Sequence, residues 1–248
     1  MQQLNSDGLR VVTLNIDWNK NLSRVLPFLS DCNADVTCLQ EVCADAIPVL
    51  QEAAGAQYVY APMCGGKIHG APETVGIAIF SHLPLLHTEA YYYAGRADNI
   101  LELDEQTFES RRTTTCRVLA VGDVRKNGIV YRIATTHFTW TPDGRADECQ
   151  RRDLRKMLNI LERAGECVLC GDFNAPRGGE VYGILSRRFK DNIPAIYVTS
   201  IDPELHRIRG LLAMVDGVFS TPAYAVSQVT MRFGLSDHGA LKATVFQE

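Results

Sequence analysis

The sequence lacks any run that approaches the roughly 18 apolar residues of a membrane-spanning helix. Its first eight residues are polar and have neither the basic start nor the apolar centre of an export signal. It also contains no internal repeat, low-complexity tract or Pro/Ser-rich linker. We therefore expect no membrane span, a cytoplasmic location and a single domain over residues 1–248.

An excess of positive charge is absent as well, since the formal net charge is −4 and the pI is about 5.9. This balance weakens the case for a nucleic-acid substrate but does not exclude one, because an acidic protein can carry a basic face. The 46% of hydrophobic and 22% of charged residues are ordinary for a globular protein and argue against disorder.

The eight cysteines do not form a metal-binding pattern. Cys167 and Cys170 are three residues apart, and on a strand such positions point to opposite faces, so they cannot ligate one ion. Without an export signal, the cysteines are expected to be reduced, small core residues.

Two phosphate- and ester-binding motifs are also missing, namely the G-x-S-x-G nucleophile elbow and the Gly-rich phosphate loop. The informative stretch is residues 168–176, which reads Val-Leu-Cys-Gly-Asp-Phe-Asn-Ala-Pro. It predicts a buried strand that ends abruptly and presents Asp172 and Asn174 to a cleft.

Hydrophobic periodicity predicts the remaining elements. Strands are predicted at 9–14, 36–39, 75–80, 116–124, 129–136, 224–231 and 241–246, and helices at 22–29, 45–54, 145–163 and 178–189. Asn127-Gly128 predicts a tight hairpin turn. Glycines and a proline at 65–72 predict a loop, the aperiodic stretch 95–112 predicts a surface loop, and 191–210 has little regular signal.

Seven polar residues each lie at a break beside a predicted strand, where an α/β sheet can gather side chains around one cleft. They are Asn15, Glu41, His137, Asp172, Asn174, Asp237 and His238. Each one alone is more simply explained as a turn former, a strand end or a surface residue. Together, carboxylates, amides and imidazoles suit Mg²⁺ or Mn²⁺ and metal-assisted hydrolysis.

At these positions the chain resembles the endonuclease/exonuclease/phosphatase superfamily, the metal-dependent phosphoesterases related to deoxyribonuclease I. The resemblance covers nearly the whole chain and has some likeness to 5′-tyrosyl-DNA phosphodiesterases. It rests on Thr13-Leu14-Asn15, Leu39-Gln40-Glu41, residues 76–81, Thr136-His137-Phe138, residues 171–174 and Ser236-Asp237-His238. It implies a four-layer α/β sandwich, in which two mixed sheets pack face to face with helices outside.

The resemblance also implies a role for each residue. Glu41 would be the principal Mg²⁺ ligand, helped by Asn15 and Asp237. Asp172 and Asn174 would orient or deprotonate the attacking water, His137 would donate to a phosphoryl oxygen, His238 would act as acid or base, and Asp216 would fix the tautomer of His238. Either Asp172 or His238 could be the base, and one or two metals could act.

Two positions depart from the superfamily pattern. His82 stands after Ser81, where relatives often have a basic residue that could contact phosphate. Asp216 lies in Met214-Val215-Asp216-Gly217 rather than between the usual Arg-hydrophobe pair and an aromatic residue.

The favoured function is Mg²⁺-dependent hydrolysis of a phosphodiester, with DNA or RNA as the expected substrate. A phosphomonoesterase or a lipid-headgroup phosphodiesterase of the sphingomyelinase type is the enzymatic alternative. An inactive binding module of the same fold is the non-enzymatic one.

Overall fold

The computed structural model describes residues 7–68 and 70–248, and within these residues the chain forms twelve strands and five α-helices. The strands are β1 (Leu9–Asn15), β2 (Val36–Cys43), β3 (Gln57–Ile68), β4 (Ala71–Ser81), β5 (Leu85–Ala94), β6 (Arg117–Lys126), β7 (Ile129–His137), β8 (Val168–Asp172), β9 (Lys190–Asp191), β10 (Asp216–Ser220), β11 (Tyr224–Arg232) and β12 (Ala240–Gln247). The helices are α1 (Leu22–Asp31), α2 (Ile47–Ala54), α3 (Phe108–Thr113), α4 (Glu148–Ala164) and α5 (Glu180–Arg188).

The strands form two mixed six-stranded sheets with matching plans. The strand orders are β11-β12-β1-β2-β4-β3 and β5-β6-β7-β8-β10-β9. In each sheet the two central strands run parallel, β1 with β2 and β7 with β8, and the other pairs are antiparallel. The carboxyl ends of four central strands therefore meet at one end of the molecule.

Three clusters of buried hydrophobic residues define four layers. The central cluster joins residues of both sheets, such as Val11, Ile79 and Ile133, and fills the space between them. A second cluster packs α1 and α2 on the outer face of the first sheet, and a third packs α4 and α5 on the outer face of the second. The predicted four-layer sandwich is confirmed.

The predicted helices and hairpin form for identifiable local reasons. The side chain of Asp147 accepts a hydrogen bond from the backbone N–H of Gln150 and caps α4, which buries one apolar face. Pro27 is accommodated inside α1. Asn127 and Gly128 both have positive φ, 51° and 84°, as the tight turn between β6 and β7 requires.

The predicted loop at 65–72 is wrong in the described residues, because most of this stretch belongs to the long hairpin of β3 and β4. Gly65 and Gly66 are strand residues here. Gly65 bridges to Glu102, and a side chain at Gly66 would collide with Trp18, so glycine marks close packing rather than a turn.

Further elements differ from the sequence-based expectation, since the helix α3 and the strands β3, β5, β9 and β10 were not predicted. Residues 108–112 of the predicted surface loop, with Thr113, form α3, capped by reciprocal bonds between Thr107 and Ser110. Strand β5 alternates little and, as an edge strand, buries just one of its ten side chains.

The cysteine prediction holds. All eight cysteines are free, and six are buried. Cys167 packs in the helix-side cluster and Cys170 in the central cluster, on opposite faces of the second sheet. Among the described helices none has the length and hydrophobicity needed to cross a membrane.

Candidate active site

One cavity of about 430 Å³ opens where the four central strands end. Seven of the eight residues singled out from the sequence line it: Asn15, Glu41, His137, Asp172, Asn174, Asp237 and His238. The eighth, Asp216, lies behind His238 at the start of β10. The in-register ends, Asn15 beside Gln40 and His137 beside Asp172, place one polar pair on each sheet.

Glu41 reaches the cavity through a distortion of β2. Its φ is +57°, and the pairing of β2 with β4 shifts register between Leu39 and Val42. A non-glycine residue with this φ is strained, and such strain persists where the surroundings hold the residue in place. The Nδ2 of Asn15 donates to Oε1 of Glu41 at 3.2 Å. Burial, and then the charge of Asp237, raise the pKa of Glu41 to about 7.

Asp172 is buried at the end of β8 and accepts several hydrogen bonds. The Nδ2 of Asn15 donates to its Oδ2 at 3.2 Å, and the backbone N–H of Asn174 donates to its Oδ1 at 2.8 Å. Burial nevertheless raises the pKa of Asp172 to about 6, against the nearby charge of His238 and with a further contribution from Asp216. Its carboxylate can therefore accept a proton near neutral pH.

His238 is held between two carboxylates. Its Nδ1 lies 2.7 Å from Oδ2 of Asp216, and its Nε2 lies 3.8 Å from Oδ2 of Asp172. Burial alone would lower the pKa of His238, but the charges of Asp216 and Asp172 outweigh it and raise the pKa well above its usual value. His238 is thus an imidazolium that Asp216 orients.

His137 has the opposite protonation state. Its Nε2 lies 3.5 Å from Oδ2 of Asp172 and 3.9 Å from Oε1 of Glu41. Burial, and then the positive charge of Arg117, lower the pKa of His137 well below its usual value. A neutral imidazole and an imidazolium therefore flank the same carboxylate.

Asn174 and Asp237 complete the predicted set. The Nδ2 of Asn174 donates to the carbonyl oxygen of Phe138 at 3.0 Å, and its φ of +48° turns the chain out of β8. Asp237 is half-buried at the cavity wall, and Oγ of Ser236 donates to its Oδ1 at 3.2 Å.

A buried glutamine ties the two sheets together below the cavity. The Nε2 of Gln40 donates to Oγ1 of Thr135 in β7 at 3.0 Å and to Oγ1 of Thr13 in β1 at 3.3 Å. Because Gln40 precedes Glu41, these bonds hold the strained residue against the opposite sheet.

The donor set fits a hard divalent cation. Glu41, Asp237 and Asp172 gather negative charge in a buried cleft, which is unfavourable without a cation. Oxygen donors of this kind suit Mg²⁺. Asp172, Asp216 and His238 also offer ligand atoms within 4.8 Å of one another. In that group, however, the 2.7 Å separation between Asp216 and His238 is a hydrogen-bond length.

Several cavity residues were not predicted from the sequence. These are Trp18, Lys20, Arg111, Arg117, Trp140, His206 and Arg207. Arg112 instead pairs with Asp147. Ser81 and His82 lie at the other end of the first sheet, where His82 N donates to the carbonyl oxygen of Asp35, so His82 has no contact with the cavity.

The most informative of these residues is Arg117. It is buried with 6% of its surface exposed, and its Nη1 donates to the carbonyl oxygen of His137 at 3.1 Å. Among the residues that the structure describes, no carboxylate lies within 4.0 Å of it. By contrast, the buried ammonium group of Lys126 lies 2.8 Å from Asp35.

The fold and the site together define a class of protein, the α/β sandwiches with an acidic, histidine-containing cleft at the strand ends. The model of the endonuclease/exonuclease/phosphatase family matches residues 12–238, so the chain belongs to that family. Its members hydrolyse phosphate esters. A comparison with curated proteins found no match.

Solved structures share the fold at low sequence identity. A family member from Bacteroides vulgatus is 20% identical and has a TM-score of 0.72, with 98% of this chain and 100% of that chain covered. Sphingomyelinase C from Streptomyces griseocarneus is 20% identical with a TM-score of 0.64, covering 96% and 99%. A mannosyl-6-phosphatase from Bacteroides thetaiotaomicron is 14% identical with a TM-score of 0.65, covering 96% and 99%.

Proposed function

We propose that the protein is a Mg²⁺-dependent phosphodiester hydrolase that acts on nucleic acid, and that residues 1–248 form its single catalytic domain. The observation that carries the proposal is the cavity itself. Glu41, Asp172 and Asp237 share it with a neutral His137 and a charged His238. Such a combination supplies the cation site, the base and the acid of phosphoester hydrolysis.

Glu41 would be the principal ligand of Mg²⁺, with Asp237 and the side-chain oxygen of Asn15 beside it. Mn²⁺ has similar preferences and could take the same place. When bound, the cation would screen the negative charge of the phosphate group and polarise it toward attack.

The protein's own groups would move the protons. Asp172, whose pKa of about 6 leaves it ionised near pH 7.5, would take a proton from the attacking water. The oxygen of water forms a bond to phosphorus, and the opposite phosphorus–oxygen ester bond breaks. His238, charged and held by Asp216, would give its proton to the departing oxygen. His137 and Asn174 would stabilise the charge that builds on the phosphoryl oxygens.

Arg117 supports an anionic substrate. A buried guanidinium without a carboxylate partner is unfavourable until an anion arrives, and guanidinium matches phosphate geometry. Arg111 and Lys20 line the same cavity, each beside a carboxylate, Glu105 at 3.4 Å and Asp17 at 2.6 Å. Arg117 therefore carries the argument for a phosphate-containing substrate such as a nucleic-acid strand.

A lipid-headgroup phosphodiesterase is the second candidate. Its support is a concentration of exposed aliphatic side chains near cavity residues His206 and Arg207. Ile196, Val198, Ile208, Leu211 and Leu212 are exposed by 37–82%. Such a strip would suit the surface of a bilayer or micelle.

The test is hydrolysis of bis(nitrophenyl) phosphate, a diester, against nitrophenyl phosphate, a monoester, with Mg²⁺ or with chelator. We expect Mg²⁺-dependent cleavage of the diester. Glu41→Gln should lower kcat/KM by at least about 100-fold while the circular dichroism spectrum is kept. The control Glu52→Gln, on the exposed face of α2, should leave the rate unchanged. Cleavage of the monoester alone, or full activity of Glu41→Gln, would refute the proposal.

A further inference from the structure

The chain contains just two tryptophans, and both line the cavity. Trp18 follows the polar end of β1 by three residues, and Trp140 follows the polar end of β7 by the same number. β1 belongs to the first sheet and β7 to the second, so each sheet contributes one indole to the cavity that holds the acidic cluster.

Trp18 is fixed by a strained turn. Asp17 and Trp18 both have positive φ, 52° and 60°. The turn is held because Oδ1 of Asn15 accepts from the N–H of Asp17 at 3.1 Å and because Lys20 lies 2.6 Å from Asp17. The indole rests on Gly66, where an added Cβ would lie 2.6 Å from it. The backbone of β3 thus covers part of the ring, and the remainder lines the cavity.

Trp140 is fixed by side chains. The guanidinium of Arg111 lies 4.7 Å from the centroid of its ring, and Phe108 meets it edge to face at 5.7 Å. Both contacts come from α3. The ring is half-buried, so it retains surface toward the cavity.

Two partly exposed indoles are unusual in a cavity whose other lining is mostly charged and polar. The charged groups would bind phosphate and a cation, but neither of these ligands requires a flat apolar surface. An indole that is held rigid and left partly uncovered offers a stacking surface for a planar ring at small entropic cost.

We propose that Trp18 and Trp140 are two ring-binding subsites of the cavity that holds the reaction centre, and that the substrate is a phosphodiester that carries heteroaromatic bases. This proposal rests on the proposed hydrolytic function and specifies its substrate. Bases paired in a duplex are stacked on their neighbours, so the bases that bind here are unpaired. The cavity volume of about 430 Å³ is within the range of small-ligand pockets and leaves room for the reacting phosphate and an adjacent base.

The experiment compares a thymidine trinucleotide with the same sugar-phosphate chain lacking its bases. The two compounds carry equal phosphate charge, so they separate ring recognition from phosphate recognition. With Mg²⁺ we expect kcat/KM to be about 100-fold higher for the base-bearing compound, about tenfold for each of two stacked bases. The difference should lie mainly in KM.

Variants assign the effect to the indoles. Trp140→Leu and Trp18→Leu should each reduce about tenfold the ratio of kcat/KM for the base-bearing compound to kcat/KM for the base-free chain. Tyr58→Leu is the control, since Tyr58 is an exposed aromatic residue of β3 that does not line the cavity. In the Glu41→Gln protein, trinucleotide binding should change the fluorescence of the two tryptophans.

The outcomes are distinct. Equal hydrolysis of the two compounds, or an unchanged preference in both tryptophan variants, overturns the ring subsites while the hydrolytic function stands. Preference for a choline phospholipid in micelles over both compounds also overturns them. Absence of Mg²⁺-dependent cleavage of every diester would instead refute the function.

Discussion

Among single residues, Glu41 lowers the stability of the metal-free fold. Its pKa is raised from 4.5 to about 7, so the folded protein holds the proton more tightly than the unfolded chain does. Ionisation of Glu41 therefore destabilises the metal-free fold, and this cost grows as the pH rises from about 4.5 to about 7.

Glu41→Gln should therefore stabilise the protein in the presence of chelator. At pH 8 we expect a gain in the free energy of unfolding of about 1–3 kcal/mol, discounted because the side chain is partly exposed. At pH 4, where the native carboxyl is protonated, the two proteins should unfold alike. Urea unfolding at both pH values measures this, and an equal or lower stability of the variant at pH 8 would contradict it.

Asp216 acts through His238. Asp216→Asn would remove the charge that, with Asp172, raises the pKa of His238, so the imidazolium would lose its proton at lower pH. We expect kcat to fall by about 10²–10⁴-fold, as when other catalytic histidines lose their carboxylate partner. The basic limb of the pH profile of kcat should move to lower pH. A fall in kcat with that limb unmoved would show that Asp216 has only a structural role.

The sequence predicted Glu41, His137, Asp172, Asp237 and His238 because each lies at a break beside a predicted strand. Arg117 and the two tryptophans carry no such signal. Arg117 begins β6, and its burial depends on packing against His137, which is 20 residues away. Trp140 owes its place to Arg111, which comes from a helix that the sequence did not reveal.

At the scale of elements, most interior strands were predictable, but the interior strand β10 was not, because Asp216 and Gly217 interrupt its apolar run. Of the edge strands, β11 was predicted and β3, β5 and β9 were not. β1, β8 and β12 are buried and read as apolar runs. β5 is an edge strand, and β3 contains a proline and two glycines and lies at the edge of the other sheet. Hydrophobic pattern follows burial, so it weakens where a strand has only one neighbour.

Gly171 shows how one residue permits a pairing between elements. It has a φ of +135° in β8, and an added Cβ would lie 2.1 Å from the carbonyl oxygen of Thr136 in β7. Gly171→Ala should destabilise the fold by about 2–4 kcal/mol, since backbone must shift and φ is unfavourable. The next residue is Asp172, so activity should fall more than stability explains.

The control for Gly171→Ala is Gly183→Ala in α5. Gly183 lies in a helix, and its added Cβ would approach only the flexible end of Arg187 at 3.4 Å. Alanine favours helix by up to about 1 kcal/mol over glycine, so this variant should be neutral or slightly stabilised. Thermal unfolding of both variants provides the comparison, and a Gly171→Ala protein as stable as the parent would contradict the argument.

At the scale of the whole molecule, the sandwich is stabilised at the end opposite to the cavity. There Lys126 of the second sheet reaches across to Asp35 at 2.8 Å and to the carbonyl oxygen of Gly8 at 2.9 Å. Arg10 contacts the same carboxylate at 2.8 Å. The cavity end therefore concentrates unfavourable charge, whereas at the opposite end the charges neutralise one another and join the two sheets.

Asp35→Asn should therefore weaken the whole fold without altering the cavity. Burial alone would raise the pKa of Asp35, but hydrogen bonds from Arg10 and Lys126 outweigh it and lower the pKa. At pH 7 we expect a loss of about 3 kcal/mol, because Lys126 would stay buried without its main partner. Since the native pKa is lowered, this contribution is present above the ordinary value of 3.8 and disappears as the pH falls through the native value. The difference in the free energy of unfolding between the two proteins, measured with urea, should thus become smaller from pH 7 to pH 3.

The control is Asp31→Asn, at the exposed end of α1, which should change stability by less than about 0.5 kcal/mol at either pH. If Asp35→Asn matched the parent at pH 7, Lys126 would not depend on Asp35, and the link between the sheets would have to lie at Gln40 and the cavity end instead.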